Sequence, residues 1–290
     1  MAIGAIPPPH HAGAVFVRQA ALVGAGNLSV RAVRSAARQR NPQRLIRILA
    51  LAGCLLLSAC ATGPAPQRSV LARWTPSPNE GARRPELIVL HHTAIPDTVK
   101  SLAALRRKGN GGRVSAHYLI GPAGETLQLV DEGRRAWHAG VSRWGNVTDV
   151  NSASIGIELV NDGYSSYPPA QIQALIALLG DITQRLGIAK TSVVGHADIA
   201  PTRKIDPNIQ FPWADLARYG FGRWYTLPLP QAPRGFDAMN ALRLIGYDTQ
   251  NPSAAIVAFR RHFRASESNA LDAMDAAILA SLLRGPGAAP

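Results

Sequence analysis

Two stretches carry side chains suited to metal-assisted hydrolysis. "GHADIAPTRKIDPN", residues 195–208, holds His196, Lys204 and Asp206, and the apolar run "ELIVLHH", residues 86–92, ends in His91 and His92. Ten residues and a Pro-marked loop separate His196 from Asp206, so the loop has the length to fold back and bring both side chains to one ion. Two imidazoles and a carboxylate leave one zinc position open for water, and the ion lowers the pKa of that water to about 7. A nearby carboxylate then moves the proton, and an ammonium group stabilises the oxyanion. Glu158 in "SIGIELVN", residues 154–161, suits the first task and Lys204 the second. Each residue also has an ordinary reading. A strand-end His often serves as a hydrogen-bonded structural residue, Glu158 reads as an edge carboxylate, and Lys204 with Asp206 reads as a solvated pair worth little. Residue types and spacing leave both readings open.

The flanking patterns say what positions these groups. "ELIVLHH" is a strand buried on both faces, and its two adjacent His side chains point to opposite faces, so only one easily serves a given site. "DTVKSLAALRRKG", residues 97–109, predicts a short helix with Asp97 as cap and Gly109 as stop. "SAHYLIG" (115–121) and "TLQLV" (126–130) predict a pair of strands around "GPAGE". In "SIGIELVN" Ile155, Ile157 and Leu159 share one face, and Gly156 and Glu158 share the other, where the Gly leaves open space. "PAQIQALIALLGDITQRLG", residues 169–187, predicts a helix from Pro169 to Gly187 with Ile172, Leu175, Ile176, Leu179, Ile182 and Leu186 on one stripe. "SVV", residues 192–194, predicts a further strand. Strands and helices alternate loosely, which predicts an α/β domain with a mixed central β-sheet flanked by helices. "TLPLPQAPRG", residues 226–235, is a Pro-rich linker, and residues 236–290 hold three short helical patterns, the last with Leu271, Met274, Ile278 and Leu282 as a stripe. Arg260, Arg261 and Arg264 read equally as a solvated face or a ligand patch.

Of 290 residues, 47% are apolar and 17% charged, which excludes a mostly disordered chain. The net charge of +13 points toward nucleic acid only until its distribution is considered. Residues 1–60 contain seven Arg and no Asp or Glu, leaving 24 basic and 18 acidic residues beyond. The basic segment precedes "ILALAGCLLLSA", residues 48–59, which is shorter than the roughly 20 residues of a membrane span. It has the length of a signal-peptide core and ends in "LSAC", which resembles the bacterial lipobox and makes Cys60 the expected lipid anchor. Ala61 after the anchor implies sorting to the outer membrane, on its periplasmic face. The resulting layout is 1–60 as N-terminal extension and lipoprotein signal, 61–84 as linker, 85–225 as catalytic domain, 226–235 as linker and 236–290 as helical domain. With Cys54 and Cys60 both at the processed end, any metal must be held by His and carboxylates.

"IVLHHTA", "SAHYLIG", "AWHAG", "SIGIELVN" and "GHADIAPTRKIDPN…FPW" together resemble the zinc-dependent N-acetylmuramoyl-L-alanine amidases, the AmpD- and AmiD-type enzymes related to peptidoglycan recognition proteins. The likeness covers about residues 85–225 and is nearest the AmiD-type outer-membrane lipoprotein branch. "ALRLIGYDTQNPSAAIVAFRRHFR" resembles, less specifically, that branch's three-helix peptidoglycan-binding-like domain. The resemblance implies one Zn2+ ion held by His91, His196 and Asp206, with His91 rather than His92 as the strand-end ligand. It implies Glu158 as acid/base and Lys204 as transition-state stabiliser. It places Trp137, His138, His117 and Asn161 at or near the substrate groove. The implied reaction is hydrolysis of the amide between the lactyl group of N-acetylmuramic acid and L-alanine of the stem peptide, in peptidoglycan or muropeptides. The alternative is a catalytically silent peptidoglycan-binding module. No nucleic-acid partner is expected, and a monomer is the default.

Overall fold

The computed structural model describes residues 68–79, 81–82, 85–107 and 113–284; the apolar run at 48–59, Cys60 and Gly109 lie outside the described residues. Short strands β1 (Arg73–Trp74) and β2 (Gly81–Ala82) lead into β3 (Leu87–His92), and helix α1 (Thr98–Leu105) follows. Next come β4 (Tyr118–Ile120), β5 (Thr126–Gln128), β6 (Arg134–Arg135), the single-turn helix α2 (Val150–Ala153) and β7 (Ser154–Leu159). The long helix α3 (Pro169–Leu186), β8 (Val193–Gly195), α4 (His196–Ile199) and α5 (Trp213–Arg218) precede three further helices, α6 (Ala238–Ile245), α7 (Pro252–Arg264) and α8 (Ala273–Arg284).

Local signals act as expected at most ends. Asp97 caps α1 by accepting the Lys100 N–H at 2.8 Å, although the helix stops at Leu105, short of the expected Gly109. Pro169 opens α3, and Gly187 closes it with φ of 66°, the left-handed conformation that Gly adopts without a Cβ penalty.

Six strands form a sheet in the order β1-β5-β4-β7-β3-β8. β4 and β5 pair antiparallel. The β1·β5, β4·β7, β7·β3 and β3·β8 pairs are parallel, so the sheet is mixed. Ile88, Leu90, Ile155, Ile157 and Val193 join Ile172, Leu175, Leu179 and Ile182 of α3 in one core, each fully buried aliphatic side chain contributing about 1.5–3 kcal/mol. The odd residues of β3 and even residues of β7 leave the opposite face. There Val89 and Val194 pack with Ala139, Val150 and Ile199, and this second face carries the polar site.

The three C-terminal helices share their own core, centred on Leu242, Ile245, Phe259, Ile278 and Leu279. They belong to the same compact unit as the sheet. The expected stripe on α8 holds at Ile278 and Leu282 but not at Met274, which is 50% exposed in the first, open turn. Arg260 and Arg261 are neither a solvated face nor an open patch. Both are buried, Arg260 paired to Asp275 at 2.6 Å and Arg261 to Glu267 at 2.7 Å. Arg264 binds Asp275 and Asp272. Among the described residues no helix is long and apolar enough to cross a membrane.

Candidate metal centre

Three adjacent parallel strands deliver the polar groups. The C-terminal ends of β7 and β3 carry Glu158 and His91, and His196 follows β8 directly. Open α/β sheets place ligands at the carboxyl ends of their strands. His91 and Glu158 are register partners, so both side chains leave the same face. Asp206 comes from the loop after α4. Arg203 and Lys204 donate their N–H groups to the Ala200 carbonyl, and the Ala197 N–H donates to the Asp206 carbonyl at 2.8 Å, which folds the loop back on the helix.

His91 Nδ1, His196 Nδ1 and Asp206 Oδ2 form a nearly equilateral triangle with sides of 2.9, 3.0 and 3.1 Å. All three residues are buried. A tetrahedral ion with ligand bonds of about 2.0–2.1 Å holds its donors about 3.3 Å apart, so this triangle is close to the size such an ion needs. The rest of each imidazole decides what the triangle presents. His196 Nε2–H donates to the Ala139 carbonyl at 3.1 Å, which leaves Nδ1 as the lone pair of the neutral ring. For His91 the argument runs through two more residues. The Ser154 hydroxyl donates to the Val150 carbonyl, so its oxygen accepts from His138 Nε2–H at 3.2 Å. His138 Nδ1 then accepts from His91 Nε2–H at 3.0 Å, and His91 Nδ1 is again a lone pair. Two lone pairs and a carboxylate face one another, an arrangement that repels itself unless a cation joins them. The donor set fits a bound metal.

The His91 charge state agrees with this: burial, then the neighbouring His196, lowers it to about 4 against the pull of Asp206, so its ring is neutral at neutral pH. In the metal-free site Asp206 lies well below the usual carboxylate range; burial opposes this, and hydrogen bonding and positive charge from a ring N–H of His196 or His91 outweigh it, a stabilisation that a bound cation would supply in their place. Burial first, and the Asp206 charge second, push Glu158 up to about 8 against the opposing Lys204. Glu158 Oε2 is buried and accepts no hydrogen bond from the described residues. These groups border a cavity of about 550 Å³, with Lys204 and Trp137 on its wall.

The other expected groove residues divide. Trp137 borders the cavity, and the Arg135 guanidinium stacks 4.1 Å from its ring centroid. His138 reaches the cavity too, but its ring nitrogens are turned to His91 and Ser154. His117 lies beneath the groove rather than on it. It is fully buried, with Nδ1 accepting the Gly156 N–H at 2.9 Å and Nε2–H donating to the Arg134 carbonyl at 3.0 Å. Asn161 braces a loop, accepting from the Gly163 N–H at 2.8 Å and from Asn208 at 3.2 Å. His92 borders the cavity from the strand end although it stands outside the triangle.

The space above Gly156 is not open. A Cβ there would lie 2.4 Å from His138 Cγ, because the imidazole fills the room the missing side chain leaves. Gly156→Ala is therefore expected to displace His138, destabilise the protein by about 1–3 kcal/mol and weaken metal binding; urea unfolding and a zinc titration check it.

The sequence reading does not single out Ser154, Asn151 or Arg203. Ser154 was within reach of the sequence, since it shares the period-2 face of Gly156 and Glu158. Asn151, whose Oδ1 accepts the His138 and Ala139 N–H groups at 2.9 Å, and Arg203, which donates to the Ala139 carbonyl at 2.9 Å, carried no local signal.

Comparison with known proteins agrees with the geometry. Residues 81–209 match the family described as N-acetylmuramoyl-L-alanine amidase. The chain is 39% identical over 240 residues to the N-acetylmuramoyl-L-alanine amidase AmiD of Escherichia coli (strain K12), covering 70% of this chain and 84% of that one. It is 36% identical over 162 residues to the 1,6-anhydro-N-acetylmuramyl-L-alanine amidase AmpD of Citrobacter freundii, covering 49% and 87%. Among solved structures, E. coli AmiD in complex with the substrate anhydro-N-acetylmuramic acid-L-Ala-D-gamma-Glu-L-Lys superposes with a TM-score of 0.63 at 37% identity, over 72% of this chain and 92% of that one. AmpDh3 from Pseudomonas aeruginosa superposes with a TM-score of 0.60 at 35% identity, over 77% and 97%.

Proposed function

The chain belongs to the N-acetylmuramoyl-L-alanine amidase family, and from that premise we propose how its residues divide the hydrolysis of the bond between the muramic acid lactyl group and L-alanine. His91, His196 and Asp206 hold one zinc ion. Bound there, zinc supplies a Lewis acid for the attacking water and the scissile carbonyl. Glu158 takes the proton from that water at its carboxylate and returns it to the alanine nitrogen as the amine leaves. Lys204, on the cavity wall, brings a positive charge to the oxygen that becomes negative during attack. Trp137 offers an apolar ring to the sugar or stem peptide. The substrate class is the muropeptide, with the anhydro form supported by the ligand in the AmiD complex.

The observation that carries this reading is the triangle of inward-facing lone pairs beside a carboxylate whose Oε2 has no partner among the described residues. Incubation of the purified protein with an anhydromuropeptide, followed by mass spectrometry, tests it. Release of the free stem peptide, lost with EDTA and restored by zinc, is the expected result. Retention of intact muropeptide without cleavage would leave a binding module in its place.

Two further assignments rest on sequence. Cys60 is the lipid anchor and the outer membrane's periplasmic face the site of action, supported by the lipobox-like "LSAC". The C-terminal helices are a peptidoglycan-binding-like module, supported by the resemblance of residues 241–264.

A further inference from the structure

We infer that Tyr247 and His262, from the C-terminal helical region, are positioning residues that hold His196 in place through Asp198. The inference rests on His196 being a metal ligand, as proposed above.

His196 opens α4, a helix of four residues. One turn does not hold itself together in water, so outside contacts must set the direction of His196. Asp198 makes them. It is 2% exposed and accepts three hydrogen bonds. One is local, from the Gly195 N–H at 2.7 Å, the residue just before His196. The other two come from the C-terminal region: His262 Nδ1–H on Oδ2 at 2.7 Å and the Tyr247 hydroxyl on Oδ1 at 2.9 Å. A buried carboxylate deprived of its donors pays a large desolvation cost, so Asp198 keeps this place only while α7 and the segment after α6 are docked.

The fit around Gly195 is close. A Cβ there would meet Pro207 Cδ at 3.0 Å and Trp213 Cζ2 at 3.2 Å. The same Trp213 stacks on the His262 ring, with centroids 3.8 Å apart and planes within 14°. The opposite support of His196 rests on the same region. His196 Nε2–H donates to Ala139, and the loop that continues from Ala139 is tied down where the Gly145 N–H donates to the Gly246 carbonyl at 2.7 Å and Trp144 packs edge-on against Tyr247. Both elements that aim the imidazole therefore lean on residues 246–262. This gives the C-terminal helices a task in building the metal centre that does not depend on touching glycan.

Zinc affinity of the full chain, measured by competition with a chromophoric chelator, tests the inference. His262→Phe keeps a ring for Trp213 to stack on and loses the donor. His262→Asn keeps an N–H near the Nδ1 position and loses the stack. Tyr247→Phe removes one hydroxyl. His262→Phe and Tyr247→Phe are expected to weaken zinc binding by about tenfold or more, with His262→Asn much nearer the wild type. Because coupling is reciprocal, zinc added to the metal-free chain is expected to slow amide exchange in residues 252–264. Wild-type affinity in both donor-deleted variants overturns the inference, and so does His262→Asn binding as weakly as His262→Phe, which would assign the effect to packing. His196→Ala separates this from the metal assignment. If it binds zinc like the wild type, the ligand assignment itself fails; if it alone loses zinc, only the positioning role falls.

Discussion

Glu158→Gln is expected to cut turnover by about 10²–10⁴-fold, the usual worth of a positioned general base, while zinc stays bound. The glutamine keeps the size of the side chain and cannot take a proton. The same change is expected to stabilise the metal-free protein near pH 8. In the folded, metal-free chain Glu158 is raised to about 8 from 4.5, by burial and then by Asp206. Between those values the folded form keeps its proton and the unfolded form has lost it, so stability falls as pH rises through that window. The penalty is absent below about pH 4.5 and reaches an upper bound of about 3 kcal/mol by pH 7. Gln carries no such titration. Thermal unfolding of metal-free wild type and Glu158→Gln should therefore converge near pH 5 and separate toward pH 8. A constant gap across that range, or turnover within tenfold of wild type, would sink this account of Glu158. A bound cation favours the ionised carboxylate, so zinc is also expected to close the gap.

Asp206→Asn carries the second large effect. The substitution keeps the shape of the side chain and removes the one anion in the triangle. Zinc affinity is expected to fall by at least about 100-fold, since the ligand set loses both its charge and its best oxygen donor. Activity at trace zinc follows it down. Stability responds as well: zinc at about 1,000 times the wild-type Kd adds about 4 kcal/mol to the wild type, and at the same concentration a variant binding about 100-fold more weakly gains only about 1.4 kcal/mol, a loss of about 2.7 kcal/mol. Chelator competition and melting with and without zinc report the two quantities separately. An affinity within threefold of wild type would mean that the carboxylate is not a ligand.

The elements of this fold are written in nearby residues. Asp97 announces a helix start, Pro169 and Gly187 bracket α3, and alternation through "SIGIEL" separates the aliphatic face of β7 from the face of Glu158. These signals are legible because each acts over one to four residues, through a cap, a φ angle or a pleat. The candidate chemistry is suggested in the same way, since imidazoles at strand ends with a carboxylate and an ammonium on the following loop are compatible with metal hydrolysis before any fold is known, although an ordinary structural reading stays open beside it. What the residues around them do depends on contacts across long stretches of chain. The β7-β3-β8 order and the pairing of His91 with Glu158 join segments more than sixty residues apart. His138 fills the room above Gly156 and turns its nitrogens to His91 and Ser154, and His117 lies below the groove between two backbone partners. Arg260 and Arg261, which look like a basic face when read along α7, are buried against Asp275 and Glu267. By itself, then, the sequence offered the candidate groups for the chemistry and the local elements on which they stand. Only the tertiary structure decided which nitrogen of each imidazole faces inward and which polar residues are spent on support, because hydrogen-bond partners and burial are properties of segments brought together by packing.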